Sequence, residues 1–458
     1  MNSVVGPQSG ERQPAEPCSG SHVQACRSRL YALATWPGDC PPWARRLPQG
    51  ASGRLTDDAL SAAGGDWRIT GVSLRSLDIS ETLAAQNGFY TVIERGAENQ
   101  RGRVIGSIAS ALALRSDPHA VASALAASST RIISLTVTEK AYGILPATRA
   151  LDKTHTVLAH NLEHPDAPHG VLGLLAQAMA ERARDGSGPV TVLCCDNPPE
   201  IGAALEEGLN AFIAETNPTL AGGVKDNVRF PSTMVDRITP ASTAATFADA
   251  EKLTGFADAA AVETVPFRQW VIEDHFSAGR PCWEAGGAIF VSDVVPYEMM
   301  KLTMLNGSHS LIAYAGFLTG QAYVRDVMRS PELAKFVQRH LKAAAHTVGT
   351  LAGIDLEAYA QDLVTRFSNP AIAHETCQIA MDGSLKMPLR IFNPAVRALT
   401  RGADIGSFAF ASAVFHRPIW VSIRLRSPCS RFRRYGGRVP LGSLPIASLE
   451  PPSWEEEE

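Results

Sequence analysis

The feature that most constrains this fold is a change of periodicity at about residue 285. Strand and helix patterns alternate before that point, and helix patterns alone follow it. The predicted strands are residues 67–74, 90–94, 103–107, 131–137 and 190–195, and the predicted helices are residues 76–86, 119–128, 171–185 and 199–213. Strands that alternate with helices indicate βαβ units. The first part of the chain is therefore predicted to be α/β, with a mainly parallel sheet.

The second part of the chain is predicted to be mostly α-helical. Its helices are predicted at residues 297–318, 321–329, 331–347, 356–366 and 394–401. A chain of 458 residues is too long for one compact core, and two domains are expected. We place an irregular segment at residues 1–55, an α/β domain at 56–285 and a helical domain at 286–458, with no assignment after about residue 410. A cleft between two such domains is a usual place for a substrate.

The composition excludes several classes of function. The net charge of −4 and the pI near 6.3 give no broad basic field, which argues against a nucleic acid partner. No apolar run reaches the roughly 18 residues that a membrane span needs, and the polar N-terminus lacks the apolar stretch of a signal peptide. We therefore expect a cytoplasmic protein with no membrane partner. None of the eight cysteines forms a CxxC pair, so neither a metal site nor a disulfide framework is predicted.

The segment that indicates chemistry is Tyr297–His309, within the first predicted helix of the second part. At 100° per residue, Lys301, Asn306 and His309 fall within an arc of about 140° on one helix face. Such a face would present an amine, an amide and an imidazole to one small molecule. A solvated polar stripe is the alternative. The flanking leucine and methionine residues favour a buried helix, and a buried lysine needs a functional reason.

The spacing Lys-x4-Asn-x2-His resembles the signature of the polyol-specific long-chain dehydrogenases, the family of mannitol dehydrogenase and fructuronate reductase. Further blocks match that family in the same order, and they are Ser134–Lys140, Cys195–Asn197, Phe230–Ile238, Pro266–Asp274 and Gln378–Lys386. The resemblance covers roughly residues 56–410. It implies a Rossmann-like N-terminal domain, a mostly helical C-terminal domain and hydride transfer between NAD and the substrate without a metal.

The resemblance also implies the catalytic roles. Lys301 would be the general base that takes the proton from the reacting hydroxyl. Asn306 and Asn197 would donate hydrogen bonds to that oxygen as it gains negative charge, and Glu298 would relay the proton. His309 would bind another substrate oxygen. Physical chemistry is consistent with these roles, because burial lowers the pKa of a lysine into the range useful for a base and amide donors stabilise a developing alkoxide.

The substrate-binding residues implied by the resemblance are Asp236, Gln378, Lys386 and Glu139. Mannitol dehydrogenases often carry Arg where Gln378 stands, and Lys386 could pair with a carboxylate. We therefore expect fructuronate and mannonate as the first substrate pair, and fructose and mannitol as the second. The expected protein is a monomer or a small homo-oligomer.

The expected cofactor-binding residues are Arg75, Asp78 and Thr136. Arg75 lies at the end of the strand at residues 67–74, which the resemblance makes the second strand of the Rossmann domain, where an acidic residue would bind the ribose 2′-hydroxyl of NAD. Asp78 is three residues later and could bind that hydroxyl. NAD is therefore the expected cofactor, and Arg75 leaves NADP possible.

The resemblance fails at the N-terminus. Sequences of the family open with a strand, a glycine-rich turn and Phe-His-Arg-Ala-His. At this turn the pyrophosphate of the cofactor meets a helix N-terminus. Residues 39–53 of this chain contain no such motif. Codons for these residues, read one nucleotide later, can encode I-V-H-L-G-L-G-A-F-H-R-A-H-Q-A, which is close to the family motif. We interpret the segment as the product of a local frameshift, with a divergent N-terminus as the alternative. The rival interpretation of the whole chain is a catalytically impaired protein without a competent cofactor pocket.

Overall fold

The structure is a computed structural model that describes residues 29–34, 52–96, 99–137, 141–145, 148–196, 198–240, 242–351 and 354–424, with the backbone alone for 29–34 and 417–424. The strands in this part of the chain are β1 Arg29–Ala34, β2 Arg68–Ser73, β3 Tyr90–Arg95, β4 Gln100–Ile105, β5 Ile108–Ala113, β6 Thr130–Thr136, β7 Val190–Cys194, β8 Val228–Arg229, β9 Thr233–Asp236, β10 Val262–Thr264, β11 Gln269–Glu273 and β12 Ile289–Val291.

The main sheet has six parallel strands in the order β5-β2-β1-β6-β7-β8. This order is that of a dinucleotide-binding Rossmann sheet, in which the direction of winding reverses between β1 and β6. Ligands bind outside the carboxyl ends of the strands at such a reversal. The predicted α/β class and the mainly parallel sheet are confirmed.

Helices cover the main sheet and bury its apolar strands. The helices of this part of the chain are α1 Ser52–Ala63, α2 Asp78–Ala85, α3 Pro118–Ala126, α4 Thr156–Glu163, α5 Val171–Asp185, α6 Ile201–Thr216, α7 Ala221–Asn227 and α8 Ala244–Thr254, of which α8 packs on β3 and β4 instead. Ile133 and Leu135 of β6, Leu175 of α5 and Phe212 of α6 are fully buried in one core. Strands of a parallel sheet covered on both faces are expected to be apolar throughout.

One prediction for the N-terminus is wrong. We expected residues 1–55 to be irregular, yet Arg29–Ala34 forms β1 between β2 and β6, and α1 begins at Ser52. The apolar run from Leu30 to Ala34 is short, but it suits a central parallel strand. Two three-stranded sheets, β10-β3-β4 and β12-β11-β9, were also not predicted in full, because each joins segments distant in sequence.

The second part of the chain is a helical domain, as predicted. Its helices are α9 Val295–Met300, α10 Gly307–Thr319, α11 Val324–Arg329, α12 Pro331–Val348, α13 Leu356–Phe367, α14 Thr376–Ile379, α15 Gly383–Met387, α16 Asn393–Thr400 and α17 Gly406–Arg424, with π-helical turns at Lys301–Asn306 and Pro388–Phe392. Every residue from Gly307 to Gly316 of α10 is buried, so this helix is the centre of the domain. Within the described residues, no helix combines the length and the apolar character that crossing a bilayer requires.

Candidate active site

A cleft opens where β7 and β9 meet the first helix of the helical domain. Its lining residues are Asp196, Thr233, Met234, Val235, Glu298, Lys301 and Leu302. Asp196 follows the carboxyl end of β7, and Glu298 and Lys301 come from α9 and from the π-helical turn after it. The cleft thus brings two of the predicted catalytic side chains to the carboxyl edge of the main sheet.

Lys301 begins the π-helical turn Lys301–Asn306 that joins α9 to α10. The N–H of Gly307 donates to the carbonyl of Leu302, five residues earlier, which makes this turn wider than an α-helical one. Turns of this kind are frequent at functional sites. Our expectation of a regular helix through this segment is therefore wrong, and the wider turn changes the orientation of Lys301 relative to His309.

Lys301 is almost completely withdrawn from solvent, at 9% exposure. Burial lowers the pKa of Lys301 to about 8, and the charge of Asp236 acts in the opposite direction. Because an ordinary lysine has a pKa near 10.4, a much larger fraction of Lys301 is neutral at physiological pH. A neutral amine in a cleft has the properties of a general base.

Glu298 lies one helical turn before Lys301 and is also buried, at 6% exposure. Its Oε2 accepts a hydrogen bond of 3.0 Å from the N–H of Glu200, and its Oε1 has no partner within the described residues. Burial raises the pKa of Glu298 to about 7. Glu200 adopts the left-handed conformation, with φ of 49°, just before α6. Such strain in a non-glycine residue is typical of functional sites.

Asp236, at the end of β9, is 1% exposed, and other side chains of the protein bind its carboxylate. Arg366 of α13 donates to both of its carboxylate oxygens, and the hydroxyl of Tyr359 donates to Oδ2 at 2.9 Å. Burial acts to raise the pKa of Asp236, but the charge of Arg366 outweighs it and keeps this pKa below the ordinary value. Asp236 is thus a fixed negative charge near Lys301, and its predicted contact with substrate stays a prediction.

His309 and Asn306 follow Lys301 on the turn and on α10, and both are less than 10% exposed. The His309 ring packs against Phe367 and stands perpendicular to the ring of His374, at centroid distances of 4.8 and 5.2 Å. Burial lowers the pKa of His309 well below its usual value, and nearby positive charge adds to this effect. Its buried Nε2 has no hydrogen-bond partner among the described groups, so a neutral imidazole nitrogen is available there.

The loop after β7 is fixed by a buried tyrosine that sequence reasoning missed. Oδ2 of Asp196 accepts hydrogen bonds from the Tyr142 hydroxyl at 2.6 Å and from the N–H of Val137 at 3.0 Å. The same hydroxyl lies 2.9 Å from Sγ of Cys194. Two predicted site residues, Asn197 and Glu139, lie outside the described residues. Asp196 is the described neighbour of Asn197, and it reaches the cleft.

The structure does not bring the other two predicted substrate residues to the lining of this cleft. Gln378 is on α14 and Lys386 is on α15, and both are half-buried. Nζ of Lys386 donates to the carbonyl of Met381 at 2.7 Å. The proposed contact between Lys386 and a substrate carboxylate therefore requires this amine to change partner, and it stays a prediction.

The cofactor-binding predictions fall at the carboxyl ends of the central strands. Ala34, the last residue of β1, is in register with Ser73 of β2 and with Thr136 of β6. Asp78 is the exposed first residue of α2, and Leu77 precedes it at the cap position. Half-buried Arg75 lies between β2 and α2. The strand order and these polar side chains fit a dinucleotide across the reversal between β1 and β6.

Among the described residues, no group of three or more His, Cys, Asp or Glu side chains could hold a metal ion.

Comparison with known proteins agrees with this geometry. The profile of the mannitol dehydrogenase Rossmann domain matches residues 47–285, and that of the mannitol dehydrogenase C-terminal domain matches residues 293–418. The D-mannonate oxidoreductase of Escherichia coli (strain K12) is 41% identical over 367 residues, which are 79% of this chain and 76% of that protein. A mannitol 2-dehydrogenase of Aspergillus fumigatus is 34% identical over 402 residues, which are 84% of this chain and 80% of that protein.

Two solved structures share the fold over most of their length. Pseudomonas fluorescens mannitol 2-dehydrogenase, in a ternary complex with NAD and D-mannitol, is 35% identical with a TM-score of 0.77, over 86% of this chain and 79% of that chain. A D-sorbitol dehydrogenase in substrate-free form is 29% identical with a TM-score of 0.76, over 86% of this chain and 81% of that chain. With both domains matched in sequence and in structure, the chain belongs to the mannitol dehydrogenase family.

Proposed function

We propose that this protein is an NAD-dependent dehydrogenase that interconverts a secondary alcohol and a ketone on a linear sugar acid or polyol, without a metal. Mannonate and fructuronate are the first substrate pair, and mannitol and fructose are the second. The names of the relatives support both pairs, since they include a D-mannonate oxidoreductase and mannitol 2-dehydrogenases. NADP is the alternative cofactor because of Arg75.

The observation that carries the proposal is the pair of buried titratable groups on one wall of the cleft. Lys301 has a pKa of about 8 and Glu298 has a pKa of about 7, and both values follow from burial. The neutral amine of Lys301 takes the proton from the hydroxyl of the reacting carbon. Glu298 lies one turn away, accepts the proton from Lys301 and passes it on toward solvent. Two groups with pKa values this close to neutrality exchange a proton with little free-energy difference.

The remaining roles are those that the family resemblance implies. The Asn306 amide, on the same turn, donates to the substrate oxygen as it becomes an alkoxide, and Asn197 supplies a second amide. When bound, NAD supplies the hydride acceptor, and Thr136, Arg75 and Asp78 hold it at the carboxyl ends of β6 and β2.

The charge around His309 supports an acidic substrate. Burial is the main reason for its lowered pKa, and positive charge from Arg390 and Arg366 contributes to it. The same two arginines act to lower the pKa of Lys301. At His309 every charge that shifts the pKa of the imidazole is positive, and a positive potential there stabilises a bound carboxylate more than a neutral hydroxyl. This is why the sugar acid is proposed before the polyol.

The experiment is to measure NADH formation with mannonate and with mannitol, for the wild-type protein and for Lys301→Ala. We expect turnover with mannonate, a loss of about 100-fold or more in the variant, and an unchanged dissociation constant for NAD. Lys335→Ala removes an exposed lysine on α12 and is the matched control, with wild-type turnover expected. Near-normal turnover by Lys301→Ala would contradict the role of this lysine.

A further inference from the structure

The carboxylate of Asp196 replaces a backbone carbonyl where the pairing of β6 with β7 ends. The N–H of Cys195 donates to the carbonyl of Leu135 at 2.9 Å. In an evenly spaced parallel ladder, the next bond would join the N–H of Val137 to the carbonyl of Cys195. Instead, the N–H of Val137 donates to Oδ2 of Asp196 at 3.0 Å. The side chain of Asp196 therefore satisfies this donor at the point where the cleft begins.

The same carboxylate oxygen accepts a second hydrogen bond from a residue further along the chain. The Tyr142 hydroxyl donates to Oδ2 of Asp196 at 2.6 Å. Tyr142 is 3% exposed and belongs to the buried apolar cluster that also contains Leu135 and Leu158. One oxygen of Asp196 thus binds both ends of the segment 137–142, and one of these ends is anchored in the core of the α/β domain.

A buried thiol completes this group of hydrogen bonds. Sγ of Cys194, which is fully buried, lies 2.9 Å from the Tyr142 hydroxyl. The phenol has one proton, and a carboxylate is a stronger acceptor than a thiol. That proton therefore goes to Asp196, and the thiol donates to the phenol oxygen. Burial raises the pKa of Tyr142 and that of Cys194 well above their usual values, so both groups keep their protons at neutral pH.

Asp196 connects this buried group to the proposed catalytic side chains. It lines the cleft together with Glu298 and Lys301. In the sequence it immediately precedes Asn197, which is a proposed donor to the substrate oxygen. An amide stabilises a developing alkoxide best when its direction is fixed before the reaction begins. The bonds that fix Asp196 therefore bear on the chemistry of the residue beside it.

We infer that Tyr142 is a positioning residue, which holds the carboxylate of Asp196 and thereby fixes the direction of the Asn197 amide toward the substrate oxygen. This inference rests on the proposed function, because that function gives Asn197 its role. The phenol is buried in the core, so it acts through Asp196 and not on the substrate. Without the phenol hydroxyl, Oδ2 of Asp196 loses the shorter of these two hydrogen bonds, and the carboxylate is free to turn away from Val137.

The first experiment uses Tyr142→Phe, which removes the hydroxyl and leaves the ring in the core. We expect kcat to fall about tenfold, the change that corresponds to one lost hydrogen bond. KM and the dissociation constant for NAD should stay near wild-type values, because the amide of Asn197 acts on the transition state. Tyr323→Phe removes a hydroxyl from a half-buried tyrosine of the helical domain. It is the matched control and should leave kcat unchanged.

A comparison of double and single variants separates positioning from a general contribution to stability. Asp196→Asn removes the charged acceptor of the Tyr142 hydroxyl. If Tyr142 acts through Asp196, the double variant Tyr142→Phe/Asp196→Asn should lose no more kcat than Asp196→Asn alone. A tyrosine that only stabilises the fold would instead lower kcat by the same factor in either background.

Hydrogen exchange gives a readout that does not depend on turnover. The peptide that contains residues 131–137 should exchange faster in Tyr142→Phe and in Asp196→Asn than in the wild type, because the carboxylate holds the N–H of Val137. The rate in Tyr323→Phe should equal the wild-type rate. An inactive wild-type protein would contradict the proposed function, and this exchange would still decide whether Tyr142 holds Asp196.

Two results would overturn the inference. One is wild-type kcat and exchange in Tyr142→Phe, and the other is an equal loss of kcat from Tyr142→Phe with and without Asp196→Asn. Asp196→Asn also provides a test that does not need Tyr142→Phe to fold, because it changes the cleft end of the same hydrogen bond. It should lower kcat with unchanged NAD binding, and wild-type kcat in this variant would equally overturn the inference.

Discussion

Arg366 holds Asp236 through two hydrogen bonds, Nη2 to Oδ1 at 2.7 Å and Nη1 to Oδ2 at 2.9 Å. Both side chains are buried, at 5% and 1% exposure. Geometry of this kind is bidentate and charge-assisted, and it fixes the carboxylate in place. Because Asp236 acts to raise the pKa of Lys301, the ion pair sets the electrostatic environment of the proposed base.

The first prediction concerns Asp236→Asn, which removes this negative charge. The pKa of Lys301 should then fall below about 8, because Asp236 no longer raises it and Arg366 is left without its partner. The neutral amine is the active form in alcohol oxidation, so the rise of kcat/KM with pH should move to lower pH. Asp362→Asn is the control, since Asp362 contacts the same arginine at 3.7 Å but is 41% exposed. A profile that stays in place, or moves to higher pH, would refute this reading of the ion pair.

The second prediction concerns stability. Arg366→Met leaves the carboxylate of Asp236 buried without its cation, and breaking a buried pair in this way costs about 3–5 kcal/mol. The free energy of unfolding, measured with urea, should fall by that amount. Removing both charges in Asp236→Asn/Arg366→Met should restore part of it, because no uncompensated charge remains. A double variant less stable than Arg366→Met would show that the two charges do not act as a pair.

Sequence patterns predicted elements that carry a local signal well, and they predicted strands that pair with distant segments of the chain poorly. The helix predicted at residues 171–185 has those bounds in the structure, where it ends before Gly186 in the left-handed conformation, a local signal. By contrast, β9 was not predicted as a strand. It is only four residues long, and its antiparallel partner β11 lies more than 30 residues later in the chain. Pairing of that kind has no local signature.

The same distinction applies to the site. Lys301, Glu298, Asn306 and His309 occupy one short segment, so their spacing was visible in the sequence. Arg366 was missed because it lies 130 residues from Asp236, and a single arginine on a helix is usually solvated. The π-helical turn was missed as well, because no local sequence pattern indicated it, and the glycine that follows it packs against residues distant in sequence.

The third prediction separates the acid from the polyol. Lys386→Met removes an ammonium whose present partner is the carbonyl of Met381. If this ammonium turns to the substrate carboxylate, the variant should raise KM for mannonate by about tenfold or more, because a charge-assisted hydrogen bond is lost. KM for mannitol should change little, because mannitol has no carboxylate. Parallel measurement of KM for both substrates is the test. Equal increases would leave the preference for the acid without support from Lys386.

The fourth prediction concerns metals. Turnover should survive prolonged incubation with a strong chelator, because the proposed base is an amine and the proposed alkoxide donors are amides. The measurement is kcat before and after dialysis against EDTA, followed by addition of zinc. Loss of turnover that zinc restores would contradict metal-free catalysis and would direct attention to ligands outside the described residues.

The last prediction addresses the N-terminal segment. Residues 39–53, as they stand, contain Arg45 and Arg46 but not the family's glycine-rich turn. In a Rossmann fold the glycines let backbone N–H groups approach the pyrophosphate at a helix N-terminus. A chain that carries the reconstructed motif in place of residues 39–53 should therefore bind NAD at least about tenfold more tightly, a gain of about 1.4 kcal/mol. Titration calorimetry with both chains measures this difference, and Lys301→Ala in each background should leave the affinity unchanged. Equal affinity would mean that the present segment is a working divergent loop and that our frameshift interpretation is wrong.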